Sequence, residues 1–194
     1  MVMWTRALSR LLLRCIERSL YKDLDVGYLM IREMDFPTES QINGKEKGAC
    51  YQDAFTFSVT KSGLSAVHVY HGIFAHLPKP VQIAMKVRNS IVKWFGFSAG
   101  DTEMSLALED IKVGARAGFL VFEVVAENEI ITAAYDKNMD MWLSVMRLSD
   151  QQYVVATLVN LKTRTGKFYM TLIKPFHKLV AKYSIAQALK SRRI

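Results

Sequence analysis

His177 is the side chain in this sequence whose type and position first suggest chemistry. It follows Pro175 and Phe176 in a segment whose pattern is otherwise helical. An imidazole takes up and releases protons close to neutral pH, so His177 is a candidate general acid or base. We favour a structural role instead, because a proline inside a helix frees a backbone carbonyl, and that carbonyl needs a donor such as the His177 ring.

Three further histidines, His68, His71 and His76, lie on one predicted helix, where a pair three residues apart could hold a metal ion from one face. No cysteine or carboxylate accompanies them at ligand spacing, so we predict that the protein holds no metal. The sequence also lacks the H-E-x-x-H, P-loop and G-x-G-x-x-G motifs. We therefore predict no cofactor, and the lack of these motifs counts against an enzyme without excluding one.

Polar side chains interrupt the apolar strands of the second half of the chain, among them Asp140, Arg147 and Thr157. On a concave sheet face they would line a cavity, with Asp140 or Arg147 orienting a polar head group. Alternation along a strand places Asp140 and Arg147 on opposite faces, and most lone polar residues on strands simply face water. The candidate ligand-binding residues, including those of the helices, are Asn89, Asp140, Trp142, Arg147, Thr157, Tyr169, Phe176 and His177.

Two internal stretches have the 3.6-residue period of helices. Residues 62–95 predict two helices joined at a bend, because Pro78 and Pro80 break the pattern. Residues 167–190 predict a long C-terminal helix, which Pro175 should bend or interrupt. Its packed face would be Phe168, Leu172, Phe176, Leu179, Tyr183 and Ala186, and its solvent face Lys167, Lys174, Lys178 and Lys182.

Between these helices the pattern changes to period two, with β-branched and aromatic residues, which predicts antiparallel strands joined by short turns. The predicted strands cover residues 51–59, 118–126, 129–136, 139–148 and 153–161, with a sixth near 111–115. The sequence therefore predicts an α+β fold: an antiparallel sheet of five to six strands whose single covered face packs on the bent helix pair and the long C-terminal helix. This element order resembles the helix-grip arrangement of the START and Bet v 1-like superfamily, which implies a cavity for an apolar ligand between the sheet and the last helix.

Residues 1–24 predict a basic amphipathic helix ahead of a single α+β domain at residues 25–194. Trp4 and the leucines share one face of this helix, and the arginines share the other. Such a helix can lie on an anionic membrane surface, contact an acidic partner protein or pack on its own domain. The candidate contact residues are Trp4, Arg6, Leu8, Arg10, Leu11, Arg14 and Arg18.

The basic charge is concentrated towards the two ends of the sequence. The formal net charge is +8, with +4 in residues 1–22, +9 in residues 162–194 and −5 between them. No helix-turn-helix, zinc-finger or RNP signature accompanies these residues, so we do not expect a nucleic acid partner. Apolar runs are far shorter than the roughly 18 residues that cross a bilayer, and two cysteines do not make a disulfide framework. The expected location is the cytoplasm, with peripheral attachment to the inner membrane as an option.

Four short segments carry a resemblance to a known family. They are YQDAF at 51–55, RNSIV at 88–92, GKFYM at 166–170 and IKPFHK at 173–178. Together they resemble the bacterial family called domain of unknown function 2867, over roughly residues 36–194. The resemblance supports the fold prediction and implies no established activity.

Our working hypothesis is a non-catalytic module that binds an apolar or amphipathic small molecule, or a lipid, between the sheet and the C-terminal helix. One alternative is a cyclase-like or hydratase-like enzyme on the same fold, in which His177, Tyr169 or Asp140 transfers protons inside the cavity. That alternative requires the three side chains to converge. A second alternative is an interaction module that contacts a membrane or a partner protein through residues 1–22.

Overall fold

The computed structural model describes residues 30–94 and 106–194. The helix predicted at residues 1–24, with all seven of its candidate contact residues, lies outside the described residues. None of the helices in the described part is both long enough and apolar enough to cross a membrane.

In the described part of the chain, seven antiparallel strands form one sheet in the order β1-β2-β7-β6-β5-β4-β3. They are β1 (Arg32–Glu33), β2 (Cys50–Ser58), β3 (Arg116–Ala117), β4 (Leu120–Val125), β5 (Glu129–Tyr135), β6 (Met139–Arg147) and β7 (Gln152–Leu161). The sequence-based count of five to six is therefore too low. The two extra strands have two residues each, which is too short for an alternating pattern to be visible. The strand expected near residues 111–115 is wrong, since pairing begins only at Arg116.

Within residues 30–94 and 106–194, three α-helices and one short 3₁₀ helix accompany the sheet. They are α1 (Ala66–Phe74), α2 (Lys79–Trp94), α3 (Arg164–Lys190) and the 3₁₀ helix Leu108–Asp110. The Ser65 side chain caps α1 by accepting a hydrogen bond from the backbone N–H of His68. Helices α1 and α2 are separated between Phe74 and Lys79, near the predicted bend.

Helix α3 differs from the prediction in two respects. It is continuous from Arg164 to Lys190 although Pro175 lies inside it, so the proline does not interrupt it. Its buried side also differs from the predicted stripe, because Phe168 is 48% exposed. The residues that are buried are Gly166, Tyr169, Met170, Tyr183, Ser184, Ile185 and Ala188. Leu179 and Tyr183 pack with Val81 of α2.

The lysines of α3 do not simply meet solvent as predicted. The Lys174 and Lys182 ammonium groups lie 5.5 and 5.4 Å from the ring centroids of Tyr51 and Phe55 on β2. Between them, Lys178 forms an ion pair with Glu33 on β1. This side of α3 therefore follows the β1–β2 edge of the sheet.

Both faces of the sheet are covered, which corrects the expectation of a single covered face. On one face, α1 and the C-terminal part of α3 pack on large apolar side chains such as Phe55, Phe122 and Tyr153. On the other face, Ile42 is fully buried against strand residues that include Ala54 and Leu158. We call these the helix face and the loop face.

Buried polar groups hold the irregular segment 34–47 on the loop face. The Glu129 carboxylate accepts hydrogen bonds from the Ser40 and Ser144 hydroxyls and from the Gln41 backbone N–H. Asn160 accepts from the backbone N–H of Lys47 at 3.0 Å and donates to the carbonyl of Lys45 at 2.9 Å. Segment 34–47 contains no helix or strand and is nevertheless a fixed layer of the fold.

Candidate functional site

Helix α3 is anchored to the sheet at both ends and less completely covered in its middle. Near its start Tyr169 and Met170 are buried, and near its end Ile185 and Ala188 are buried. Between them, every residue from 172 to 182 is half-buried or exposed. The half-buried residues include Ile173, which packs on sheet residues, and His177, which contacts them through its ring. The middle of α3 is therefore only partly covered, whereas the sheet residues beneath it, such as Asp53 and Thr157, are buried.

Beneath the middle of α3 lies a polar group that we call the acid–histidine cluster: Tyr51, Asp53, Thr157 and His177. Asp53 on β2 is the direct cross-strand partner of Thr157 on β7, so the two project on the same face. His177 Nε2 lies 3.3 Å from Asp53 Oδ2 and 3.3 Å from Thr157 Oγ1. The Tyr51 hydroxyl donates to Asp53 Oδ2 at 2.5 Å, and its ring stands edge-on to the His177 ring with centroids 5.9 Å apart.

Asp53 is ionised although its side chain has no exposed surface. Burial raises the pKa of the carboxyl, but hydrogen bonds and the charge of His177, with hydrogen bonds from Tyr51 and Thr157, outweigh burial and hold the pKa below its ordinary value. Burial and the neighbouring carboxylate raise the pKa of Tyr51, so that residue remains a neutral donor. Asp53 Oδ1 makes no hydrogen bond to any of the residues described.

A second polar group, the Arg88 group, consists of Arg88, Asn89, Phe119 and Tyr169. Arg88 on α2 donates from Nε to the Tyr169 hydroxyl on α3 at 3.1 Å and from Nη1 to Asn89 Oδ1 at 3.1 Å. Its guanidinium carbon lies 4.8 Å from the centroid of the Phe119 ring. Burial raises the pKa of Tyr169, against the opposing effect of Arg88. These contacts tie α2 to α3 and to the strand that begins at Leu120.

A buried apolar cluster, which we call the apolar patch, borders both polar groups. Tyr51 of the acid–histidine cluster and Tyr169 of the Arg88 group pack with Met139, Val159 and Met170, and Ile173 packs against the same residues. A mostly apolar surface with a few fixed polar groups is the composition of small-molecule sites in proteins. We call this patch, with the two polar groups, the candidate site.

The structure brings together some of the ligand-binding residues predicted from sequence and separates others. Thr157 and His177 share the acid–histidine cluster, and Asn89 and Tyr169 share the Arg88 group. Phe176, which lies between Tyr169 and His177 in the sequence of α3, is half-buried. The His177 ring faces Asp53 and Thr157, whereas the favoured structural role required a carbonyl freed by Pro175.

Asp140, Trp142 and Arg147 lie away from the candidate site. Alternation along β6 places Asp140 and Trp142 on the loop face, where Asp140 pairs with Lys162 at 2.6 Å and the Trp142 N–H donates to Glu123 at 3.2 Å. Arg147 ends β6 and pairs with Asp150 at 3.0 Å. The trio His177, Tyr169 and Asp140 therefore does not converge, which removes the enzyme model in the form predicted from sequence.

Sequence reasoning missed Asp53, Tyr51 and Arg88. A signal for Asp53 was present, since Asp53 alternates with Tyr51 and Phe55 and so places a carboxylate on an otherwise aromatic strand face. The partner of Asp53 is 124 positions away in sequence, at His177, so the pairing itself had no local signal.

His68 and His71 lie on α1, and His76 follows the end of that helix, so the three do not share one helix as predicted. His68 Nδ1 lies 2.7 Å from the Ser65 hydroxyl, and the His71 and His76 rings stand edge to face. Within residues 30–94 and 106–194, no group of three His, Cys, Asp or Glu side chains is arranged to hold a metal ion.

The fold and site define an α+β protein in which a long C-terminal helix crosses an antiparallel sheet and covers a buried acid–histidine cluster. The family model described as "Protein of unknown function (DUF2867)" matches residues 46–184, and the chain belongs to this family. The matched range contains both polar groups of the candidate site. No curated protein and no solved structure matches the chain significantly.

Proposed function

We propose that this protein binds an amphipathic small molecule between the helix face of the sheet and the middle of α3, without chemical change. The observation that carries this proposal is the half-buried middle of a helix whose two ends are buried against the same sheet. A helix packed only for stability would bury its sheet-facing stripe along its full length. In α3, by contrast, the sheet-facing residues Ile173 and His177 are only half-buried.

The lining of this region suits a ligand with an apolar tail and a polar end. Met139, Val159 and Met170 are buried apolar side chains, and the half-buried Ile173 packs against them and is where a tail would pack. Each Å² that a tail buries contributes about 25 cal/mol. The imidazole of His177, with 27% of its side chain exposed, supplies a hydrogen-bonding group at the border of that surface. Buried Asp53 fixes the ring without itself being open to solvent.

The experiment compares two tryptophan substitutions on α3 in the full chain. Ile173→Trp adds a bulky side chain where a tail would pack, and Phe168→Trp places the same side chain on the exposed side of the helix. Titration calorimetry with decanol and decanoate should show binding to the wild type and to Phe168→Trp, and at least tenfold weaker binding to Ile173→Trp. Thermal melting checks that both variants are folded, and Ile173→Ala serves as a second variant if Ile173→Trp is not.

Two results would contradict binding at this place. In the first, neither decanol nor decanoate binds the wild-type protein. In the second, Ile173→Trp binds both compounds as tightly as Phe168→Trp does.

A second candidate is a proton-transfer enzyme, which one observation favours. A buried, charged Asp53 beside a partly exposed His177 is the arrangement that orients an imidazole as a general base. The two candidates differ in the fate of the ligand. Incubation of a ligand recovered from the protein with wild type and with His177→Asn, followed by mass spectrometry, separates them: conversion by the wild type alone supports the enzyme, and unchanged ligand in both supports the binding module.

Association with an anionic membrane surface or an acidic partner is a separate proposal that rests on the sequence of residues 1–22. Four arginines opposite Trp4 and the leucines give that segment the composition of an interfacial helix. Attachment of this kind would place the candidate site close to a supply of amphipathic molecules.

A further inference from the structure

We propose that Arg88 binds a carboxylate head group, so that the ligand of the candidate site is a carboxylic acid with an apolar tail. This assignment rests on the proposed function and adds to it the charge of the ligand and the residue that recognises it. It depends on where the Arg88 guanidinium is held, on which of its donors are used and on the lack of a counter-charge among the residues that the structure describes.

The Arg88 guanidinium is fixed in place by contacts with three side chains. Nε donates to Tyr169, Nη1 donates to Asn89, and the planar group lies over the Phe119 ring. A guanidinium has five N–H donors, and these two hydrogen bonds leave the Nη2 side without a hydrogen-bond partner among the residues that the structure describes. A carboxylate accepts two parallel hydrogen bonds from such a fork, and the pair is strong because both groups are charged.

The charge of Arg88 is not balanced by any described carboxylate within ion-pair distance. The one carboxylate buried in the candidate site, Asp53, is already paired with His177 and Tyr51. Arg88 itself is half-buried, and a charge withdrawn from water is stable when it has a partner of opposite sign. A ligand carboxylate would supply that partner.

The position of Arg88 relative to the apolar patch also fits a fatty acid. Arg88 bonds to the hydroxyl of Tyr169, and the ring of Tyr169 packs within the patch beside Met139 and Met170. A head group at Arg88 therefore leaves a tail next to apolar side chains. Decanoate, decanol and decyltrimethylammonium test this with one tail length and three head-group charges.

The experiment measures the affinity of each probe for the wild-type full chain, Arg88→Gln and Arg32→Gln. Arg32→Gln removes the same charge from an exposed position on β1 at the other edge of the sheet. We expect the wild type and Arg32→Gln to bind decanoate at least tenfold more tightly than decanol, and the ammonium probe most weakly. Arg88→Gln should lose the preference for decanoate while its affinity for decanol stays within about threefold.

Decanol binding by Arg88→Gln also shows that the variant is folded. If it is not folded, Arg88→Lys provides the test, since it keeps the charge but loses the planar fork, and the preference for decanoate should fall several-fold.

The outcomes separate this assignment from the proposed function. If the wild type binds decanol and decanoate equally, or if Arg88→Gln and Arg88→Lys keep the full preference, the carboxylate assignment is wrong while binding at the candidate site stands. If the wild type binds none of the probes, the proposed function fails and the assignment fails with it. A preference for the ammonium probe would contradict the role of Arg88 directly.

Discussion

Asp53 determines the electrostatics of the candidate site. Its carboxylate is covered on all sides, and it remains charged because His177, Tyr51 and Thr157 surround it. A buried carboxylate without such partners would be neutral at pH 7. The imidazole of His177 is in turn held by the Asp53 carboxylate, whose position is fixed by the pairing of β2 with β7.

Replacing Asp53 by asparagine should reduce the free energy of unfolding at pH 7 by about 1–3 kcal/mol, since the hydrogen bonds to a buried charged group are lost. Because the folded state holds the pKa of Asp53 below its unfolded value near 3.9, the stabilisation is complete above that value and is lost as pH falls through the folded pKa. The difference between wild type and Asp53→Asn in urea unfolding should therefore be largest near neutral pH and shrink below pH 4.

The control for this measurement is Asp35→Asn at an exposed position, which should unfold like the wild type at every pH. A wild-type advantage over Asp53→Asn that stays constant from pH 7 down to the acid transition would contradict the role given to the Asp53 charge.

At the residue scale, the sequence allowed single chemically capable side chains to be selected, but it did not allow the residues that contact them to be predicted. Thr157 and His177 were selected as ligand residues and do lie together. Asp140 and Arg147 were expected on opposite faces of β6, but periodicity alone could not say which face carried the helices. Asp140 paired with Lys162 on the loop face, a contact that depends on the whole sheet.

Among the elements, α3 defines the site, and its start is fixed by a close approach at Gly166. A Cβ on Gly166 would lie 2.5 Å from the carbonyl oxygen of Asn138, in the turn between β5 and β6. The Thr163 hydroxyl bonds to the side chain of the same asparagine at 2.9 Å and also caps the helix. Glycine therefore lets the first turn of α3 rest directly on a backbone carbonyl.

Gly166→Ala should lower the free energy of unfolding by about 1–3 kcal/mol, the usual cost of overpacking a rigid contact. Without the contact to Asn138, alanine would stabilise the helix relative to glycine. A decrease in the free energy of unfolding would therefore indicate that the contact is present. Lys167→Ala at the next, exposed position is the matched control and should change stability by less than about 0.5 kcal/mol. Stabilisation by Gly166→Ala in thermal or urea unfolding would show that the first turn is not held against Asn138.

Local periodicity predicted most elements of the described sheet and helices but not how their faces are covered. The long strands and the three helices follow from period-two and 3.6-residue patterns. The face of α3 was misjudged at Phe168, because aromatic residues occur on both sides of this helix and only the neighbouring elements decide which side is buried. Segment 34–47 has no periodic pattern, and its place on the loop face depends on the distant residues Glu129 and Asn160.

At the scale of the whole molecule, the net charge of +8 is distributed unevenly along the sequence. The structure shows what three of the lysines of α3 contact. The lysines at 174, 178 and 182 contact β1 and β2, so they are not a separate surface for a polyanion. Six further basic residues of segment 162–194 remain, and residues 1–22 carry a net charge of +4. Only residues 1–22 combine this charge with an apolar helical face in sequence, so we expect an anionic surface to be contacted through that segment.

Deleting residues 1–22 should abolish sedimentation with phosphatidylglycerol vesicles and leave the melting temperature nearly unchanged. The full chain should bind these vesicles and release them at high salt, since attraction between exposed charges is screened. Phosphatidylcholine vesicles are the control and should bind neither form. If the deletion instead lowers the melting temperature markedly and leaves vesicle binding intact, the segment contributes to the fold and not to a membrane contact.

The most direct test of ligand binding between the sheet and α3 is methyl NMR of the full chain with labelled methionines, titrated with decanoate. Met139 and Met170 belong to the apolar patch of the candidate site, whereas Met34 and Met146 pack on the loop face and act as internal controls. We predict saturable shifts of the Met139 and Met170 methyl signals, with those of Met34 and Met146 unchanged. Shifts confined to the loop-face methionines, or no shift at any of the four, would contradict a binding site beneath α3.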